Sequence, residues 1–242
     1  MKPVIDTLLL KLRARDRLSA EEEAAVRDAI GEVRDIAADQ TVIRAGDELH
    51  SSTLLLDGLL CRYKDLRDGS RQIMELHVAG DFADLHSFTL KRLDHNIMTL
   101  TRCRIALAPH AKLEAITRDF PHLTRLLWFS TNLDAAIHRE WMLSLGRRTA
   151  LARVAHFFCE MQVRLGLVGL AGADGYALAL TQTDLSECLG LTPVHVNRTL
   201  KQLREQGLVE FRRGRVTIGD LDGLRRVAEF DPAYLHLERR DR

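Results

Sequence analysis

No run of about 18 apolar residues occurs in the 242-residue sequence, so nothing in it reads as a membrane-spanning helix and no membrane partner is expected. Its four cysteines, Cys61, Cys103, Cys159 and Cys188, lie far apart and form no Cys-x-x-Cys pair. Buried free thiols in a reducing compartment are the expected reading. His-x-His is absent too, which removes the pair of ligands that a cupin-type metal enzyme needs on adjacent strands. No Walker loop, Ser-His-Asp signature or metalloprotease helix is present, so catalysis is not expected. The opening Met-Lys-Pro-Val-Ile-Asp has too short an apolar stretch for a secretory signal, and the expected address is the cytoplasm. Net charge is nearly missing as well, at +1, so the molecule as a whole is no basic coat for nucleic acid.

What is there is a globular balance, 46% hydrophobic and 29% charged, with charge placed unevenly. Residues 1–146 carry 20 Lys/Arg against 22 Asp/Glu, whereas residues 147–242 carry 15 against 12. Within 192–215 the count is six basic to two acidic, which makes that segment the expected place for nucleic acid.

Ser19-Ala20-Glu21-Glu22 reads as a capping box opening a short helix. From residue 40 to about 108, short apolar runs (53–56, 59–63, 73–77 and 97–107) alternate with turn signals such as Ala45-Gly46-Asp47, Asp57-Gly58 and Asp68-Gly69. Strands this short and this regularly spaced predict an antiparallel β-roll or barrel. Pro121 then opens a stretch without Gly or Pro to about Leu145. In it Leu126, Ser130, Leu133, Ile137 and Trp141 recur at spacings of four and three, a narrow seam expected to pair with a second copy of the chain. Packing on the chain's own β-roll is the alternative. Gly146 reads as a hinge, Leu151, Ala155, Phe158 and Leu165 as the buried face of another helix, and the four glycines of 166–175 as a loop or hairpin.

The segment from Leu180 to Gly207 carries the most chemistry. Thr181 or Thr183 caps a first short helix whose Leu185, Cys188 and Leu189 face inward, and Ser186 is small where a second helix crosses. Gly190 supplies the tight turn, Thr192 caps the second helix, and Pro193 sits in its first turn, where a missing N–H costs nothing. Val196, Leu200 and Leu203 hold that helix on the core, leaving Val194, His195, Asn197, Arg198 and Lys201 to lie in a major groove of double-stranded DNA. After Gly207 comes a strand, a turn bearing Arg212, Arg213 and Arg215, and a second strand. That is a basic wing suited to phosphates.

In order and spacing these features resemble the Crp/Fnr superfamily of bacterial regulators. The likeness runs from Ile43-Arg-Ala-Gly-Asp47 through Leu55-Leu-Asp-Gly58 and Gly80-Asp-Phe82 to the wing. It implies an α+β chain: a cyclic-nucleotide-binding-like β-roll (1–118), a dimer helix (119–146) and a winged helix-turn-helix (147–242). It also implies a homodimer on a two-fold operator, with RNA polymerase as a further partner. Cyclic-nucleotide binders of the family hold the ribose with a Glu and the phosphate with an Arg-Ser/Thr pair. Here the corresponding stretch reads Gly80-Asp-Phe-Ala-Asp-Leu-His-Ser-Phe88 and His95-Asn-Ile-Met-Thr99, with no such pair, so cyclic AMP in the usual manner is not expected. Asp84, His86, Ser87 and Asn96 are the polar candidates for any other effector. Residues 1–60 contain no cysteine, which argues against the iron–sulfur branch. Haem stays open through His77, His86 and His95 but is not favoured. A cyclic-nucleotide-responsive activator and a module governing a protein partner are the alternatives. The latter has no need of a wing with three arginines.

Overall fold

The structure is a computed structural model describing residues 5–241, so the opening Met-Lys-Pro-Val segment, read above as no secretory signal, lies outside the described residues. Two compact units divide the chain: one takes residues up to 64, 75–135 and the tail from 237, the other 65–74 and 136–236. The division falls inside the long helix and not at its ends, and the second unit claims the tip between two roll strands.

In chain order the first part comprises α1 (Asp6–Arg15), α2 (Ala20–Ala29), β1 (Val33–Ile36), β2 (Thr41–Ile43), β3 (Ser51–Asp57), β4 (Leu60–Asp65) and β5 (Arg71–His77). The short α3 (Ser87–Leu90), β6 (Asn96–Thr99), β7 (Cys103–Pro109), α4 (His110–Asp119) and α5 (Pro121–Arg147) follow. The sheets run β1-β7-β3 and β2-β6-β4-β5, and the pairs β1–β7, β3–β7, β2–β6 and β4–β6 are antiparallel. The run expected as one strand over 97–107 is two, β6 and β7, because the chain turns at residues 100–102 to change sheets.

Alternation along β3 and β7 explains the packing. Leu54 and Ala106 join Leu9, Leu113, Leu123 and Leu126 under the helices, while Leu55 and Ile105 face Leu60, Ile97 and Ile43 inside the roll. The Ser19 capping box is present: its hydroxyl accepts the Glu22 N–H at 3.1 Å and the Glu22 carboxylate accepts the Ser19 N–H at 2.8 Å. Such a cap stabilises a helix start by about 1 kcal/mol.

The second part comprises α6 (Ala150–Gly166), the hairpin β8 (Ala171–Gly172) and β9 (Gly175–Ala177), α7 (Gln182–Leu189), α8 (Pro193–Glu205), β10 (Val209–Arg212), β11 (Arg215–Ile218), α9 (Leu221–Ala228) and a 3-10 turn, Pro232–Leu235. Its sheet order is β10-β11-β9-β8. The whole is α+β. Gly146 is no hinge: α5 runs through it, and the break comes where the Thr149 hydroxyl accepts the Ala152 N–H to start α6. Fully buried Glu160 on α6 accepts from Trp141 Nε1 at 3.0 Å, Tyr234 Oη at 2.8 Å and Arg164 Nη1 at 3.0 Å, a carboxylate satisfied from three elements. All four cysteines are buried and outside any disulfide, and burial pushes the Cys159 thiol up to about 12.

The expected dimer stripe needs correcting. Leu126, Ile137 and Trp141 are buried within their own chain, and Ser130 and Leu133 are half-buried. Leu126 belongs to the core under the helices, and Trp141 is held by Glu160. The alternative, packing on the chain's own β-roll, holds for Leu126, which shares a core with Leu54 and Ala106, whereas Trp141 packs on Glu160 and Phe157 of α6. The open face of α5 carries Trp128 (67% exposed), Ala135 and Met142 (71%), each seven residues apart. Two residues of helix turn a side chain by about 200°, so this face lies nearly opposite the expected one.

Candidate nucleic-acid interface and the roll interior

Local chemistry builds the helix-turn-helix. Thr181, not Thr183, is the cap of α7: its hydroxyl accepts the Asp184 N–H at 3.1 Å and Asp184 accepts the Thr181 N–H at 2.7 Å. Thr183 is exposed, and its carbonyl accepts the Ser186 hydroxyl. Gly190 ends α7 at φ +57, and a Cβ there would press on Leu145 Cδ2 at 3.1 Å. Thr192 caps α8, accepting the His195 N–H at 3.3 Å, with Pro193 in the first turn. Val196, Thr199 and Leu203 are buried, and Leu200 is half-buried. Val194 (74% exposed), His195, Asn197, Arg198 and Lys201 all face out, as the spacing predicts. Thr199 is the core position that reading missed, a polar residue on a buried face.

β10 and β11 pair in register from Val209↔Ile218 to Arg212↔Arg215, leaving Arg213 and Gly214 as a two-residue turn. Both have positive φ, 50° and 71°, as a type I′ hairpin requires. Arg212 pairs with Glu210 at 2.9 Å, Arg215 with Asp174 at 3.1 Å and Lys201 with Glu205 at 3.7 Å, all on the surface. Exposed pairs of this kind are worth well under about 1 kcal/mol and are easily exchanged for a phosphate. Arg198 and Arg213 have no acidic partner among the described residues.

The interior of the roll is different in kind. Arg62 on β4 is buried; it donates to Glu75 Oε2 at 2.7 Å, Asp134 Oδ2 at 2.8 Å and the Ala83 carbonyl at 2.7 Å. The buried Asp84 carboxyl accepts the Thr53 N–H at 2.5 Å, and desolvation drives its pKa up to about 6. Ser87 lies beside Asp84 and shares hydroxyl contacts with Ser52 and His110, both 3.2 Å away. Asn96 is taken elsewhere, accepting the Ala45 N–H, and His86 packs against His95 with the rings tilted by 38° and their centroids 5.5 Å apart. His77 is fully buried. The four effector candidates therefore do not converge: Asp84 and Ser87 adjoin, His86 faces His95, and Asn96 serves a turn. Sequence reasoning missed Arg62, although a lone charge inside Leu59-Leu-Cys-Arg-Tyr63 was a signal that it has buried partners.

Residues 33–120 match the cyclic nucleotide-binding domain family, and residues 152–227 match the Crp-like helix-turn-helix domain family. The transcriptional activator protein FnrL of Cereibacter sphaeroides is 30% identical over 78% of this chain and 76% of its own length. The chain belongs to the Crp/Fnr family of transcription regulators. The nitrogen fixation regulation protein FixK of Azorhizobium caulinodans is also 30% identical, over 72% of the chain and 70% of that protein. The solved structure of FixK2 from Bradyrhizobium japonicum superposes with a TM-score of 0.74 at 27% identity, covering 81% of this chain and 96% of that one. This Crp/Fnr regulator is thus a DNA-binding protein and not an enzyme. Among its described residues no helix is long and apolar enough to cross a membrane.

A cyclic nucleotide is the group that the domain family implies, and the residues present do not fit it in the usual manner. A cyclic phosphate needs an uncommitted buried cation. Among the described residues Arg62 is the buried arginine inside this roll, and it already serves two carboxylates and a carbonyl, with Asp84 beside them. A phosphate entering there would meet three carboxyl groups.

Proposed function

We propose that the regulator acts in the cytoplasm as a homodimer on a two-fold operator, laying the N-terminal half of α8 in the major groove of each half-site. The observation that carries this is the outward set Val194, His195, Asn197 and Arg198 on a helix whose other face is buried. Arg198 reads guanine through O6 and N7, Asn197 and His195 serve neighbouring positions, and Val194 gives an apolar contact such as a thymine methyl. Lys201, Thr181, Thr183 and Thr192 lie at the flanks, and Arg212, Arg213 and Arg215 grip phosphates. Because FnrL is named an activator, contact with RNA polymerase belongs to this reading.

The face that pairs two copies is Trp128, Ala135 and Met142. A tryptophan and a methionine left open at heptad spacing on one helix match the requirement of a coiled-coil seam. Ala135→Asp/Met142→Asp should sediment at the monomer mass with unchanged helix content, since both side chains face solvent, and should lose operator binding at least tenfold. A wild-type mass would refute the seam. The double variant Leu133→Asp/Ile137→Asp should instead unfold the chain, because Ile137 is core.

Cyclic AMP bound in the usual manner is not the signal at the roll. Calorimetric titration with cyclic AMP to millimolar concentration should give no saturable heat and leave operator affinity unaltered. Micromolar binding would overturn the reading of Arg62.

A further inference from the structure

Helix ends leave carbonyls without intrahelical partners, and these mark the negative ends of the helix dipoles. Two such ends meet in the second compact unit, and one side chain serves both. Arg153, on the first turn of α6, sends Nε to the Ser144 carbonyl at 3.1 Å and Nη2 to those of Leu145 at 2.9 Å and Arg148 at 3.2 Å, all at the end of α5. Its Nη1 reaches the Leu189 carbonyl at 2.6 Å, the last residue of α7. No carboxylate pairs with this guanidinium among the described residues; four carbonyls take its place. Gln72, on β5, adds a second tie to the same end of α7, donating Nε2 to the Glu187 carbonyl at 2.7 Å. Gly190, the turn between α7 and α8, sits against Leu145 of α5 so closely that a Cβ would be 3.1 Å from it.

We propose that Arg153 is a positioning residue for operator recognition: it clamps the C-terminus of α7 to the C-terminus of α5 and so sets the angle at which α8 is presented. The proposal rests on recognition through α8 and pairing along α5. In such a dimer a small rotation at the clamp moves each α8 relative to the two-fold axis. What suffers first is the match to half-sites one helical turn, about 34 Å, apart, before contact with DNA of any sequence. Only a fork reaches both helix ends, because a lysine ammonium is a compact charge that can serve one of them.

Arg153→Lys keeps the charge and tests the fork. An operator selected from random DNA with the wild-type protein is the probe, together with versions whose half-sites are one base pair closer or farther, and with DNA lacking the site. Arg153→Lys is expected to lose at least tenfold in operator affinity and most of its discrimination between spacings. Affinity for site-free DNA, its salt slope, helix content and sedimentation mass should match wild type. Gln72→Ala should move the spacing preference in the same direction by less. Equal losses on operator and site-free DNA, unchanged spacing discrimination, or lost helix content would each overturn the clamp, the last by making Arg153 a purely structural residue. Arg198→Ala runs alongside. If its base preference relaxes while Arg153→Lys keeps its spacing preference, the clamp alone fails; if its preference is unchanged, recognition through α8 fails and takes the clamp with it.

Discussion

Arg62→Met should cost the roll about 3–5 kcal/mol. The reason is what stays behind. Arg62 is buried among Glu75, Asp134 and Asp84, and removing it leaves Glu75 and Asp84 as buried carboxylates without their cation. The loss should be pH-dependent. Asp84 already has its pKa raised to about 6 with Arg62 in place, and the arginine is one of the groups holding it down. A carboxyl whose folded pKa is raised destabilises the fold above that pKa, and the penalty fades as pH falls through it. Without Arg62 the pKa rises further, so the deficit of Arg62→Met should be greatest at pH 7.5 and shrink by pH 5.5. His95 acts in the same sense, since burial lowers its pKa and Arg62 contributes to the lowering. Hydrogen exchange of the β4 and β6 amides reads the roll separately from the rest of the chain. A deficit below about 1 kcal/mol, or one independent of pH, would show that the cluster is hydrated and not a buried ion network.

Arg198→Ala should weaken operator binding by about 1–3 kcal/mol per half-site, doubled across a two-fold site, and relax the preference at one base pair in each half. Its side chain is on the outward face one turn into α8 and carries no competing carboxylate. Arg213→Ala should behave otherwise. In the proposed complex it neutralises a phosphate at the tip of the wing, so its loss should weaken binding to every sequence alike and lower the salt slope by about 1 per half-site. Arg212 and Arg215 should give smaller effects, since each releases a surface carboxylate on binding. Titrations of both variants against a half-site series at several salt concentrations separate reading from gripping. If Arg198→Ala lowers all affinities equally, α8 does not lie in the groove as proposed.

The helix-turn-helix and wing were legible in the sequence because the residues that shape them act on their own neighbours. Gly190, Thr192 with Pro193, and the glycine turn of the wing each act within a few residues, and the structure places them as expected; of the two caps the sequence offers for α7, Thr181 is the one used, with Asp184 completing it. The strands were legible in outline from their turns, apart from the break between β6 and β7. What stayed hidden depends on tertiary neighbours. α5 has apolar residues on two faces, and periodicity alone offers both; Leu126 and Ile137 won burial because the first has the roll core to pack on, while Trp128 was left open. Arg62 finds Asp134 72 residues away, and Arg153 finds carbonyls, which no side-chain pattern encodes.

Along α8 the work is divided residue by residue: Val196, Thr199 and Leu203 belong to the fold, and Val194, His195, Asn197 and Arg198 belong to nothing but solvent. Mutations in the second group carry almost no stability cost, because surface changes away from caps and cores usually shift stability by less than about 0.5 kcal/mol. A lineage carrying this chain can therefore explore new operators by single steps through folded intermediates, each differing from its parent only in which promoters it visits. After gene duplication, two copies need change only a few exposed positions to command separate sets of genes while inheriting one roll and one folding problem. Rewiring of target genes should run far ahead of divergence in the scaffold that supports it.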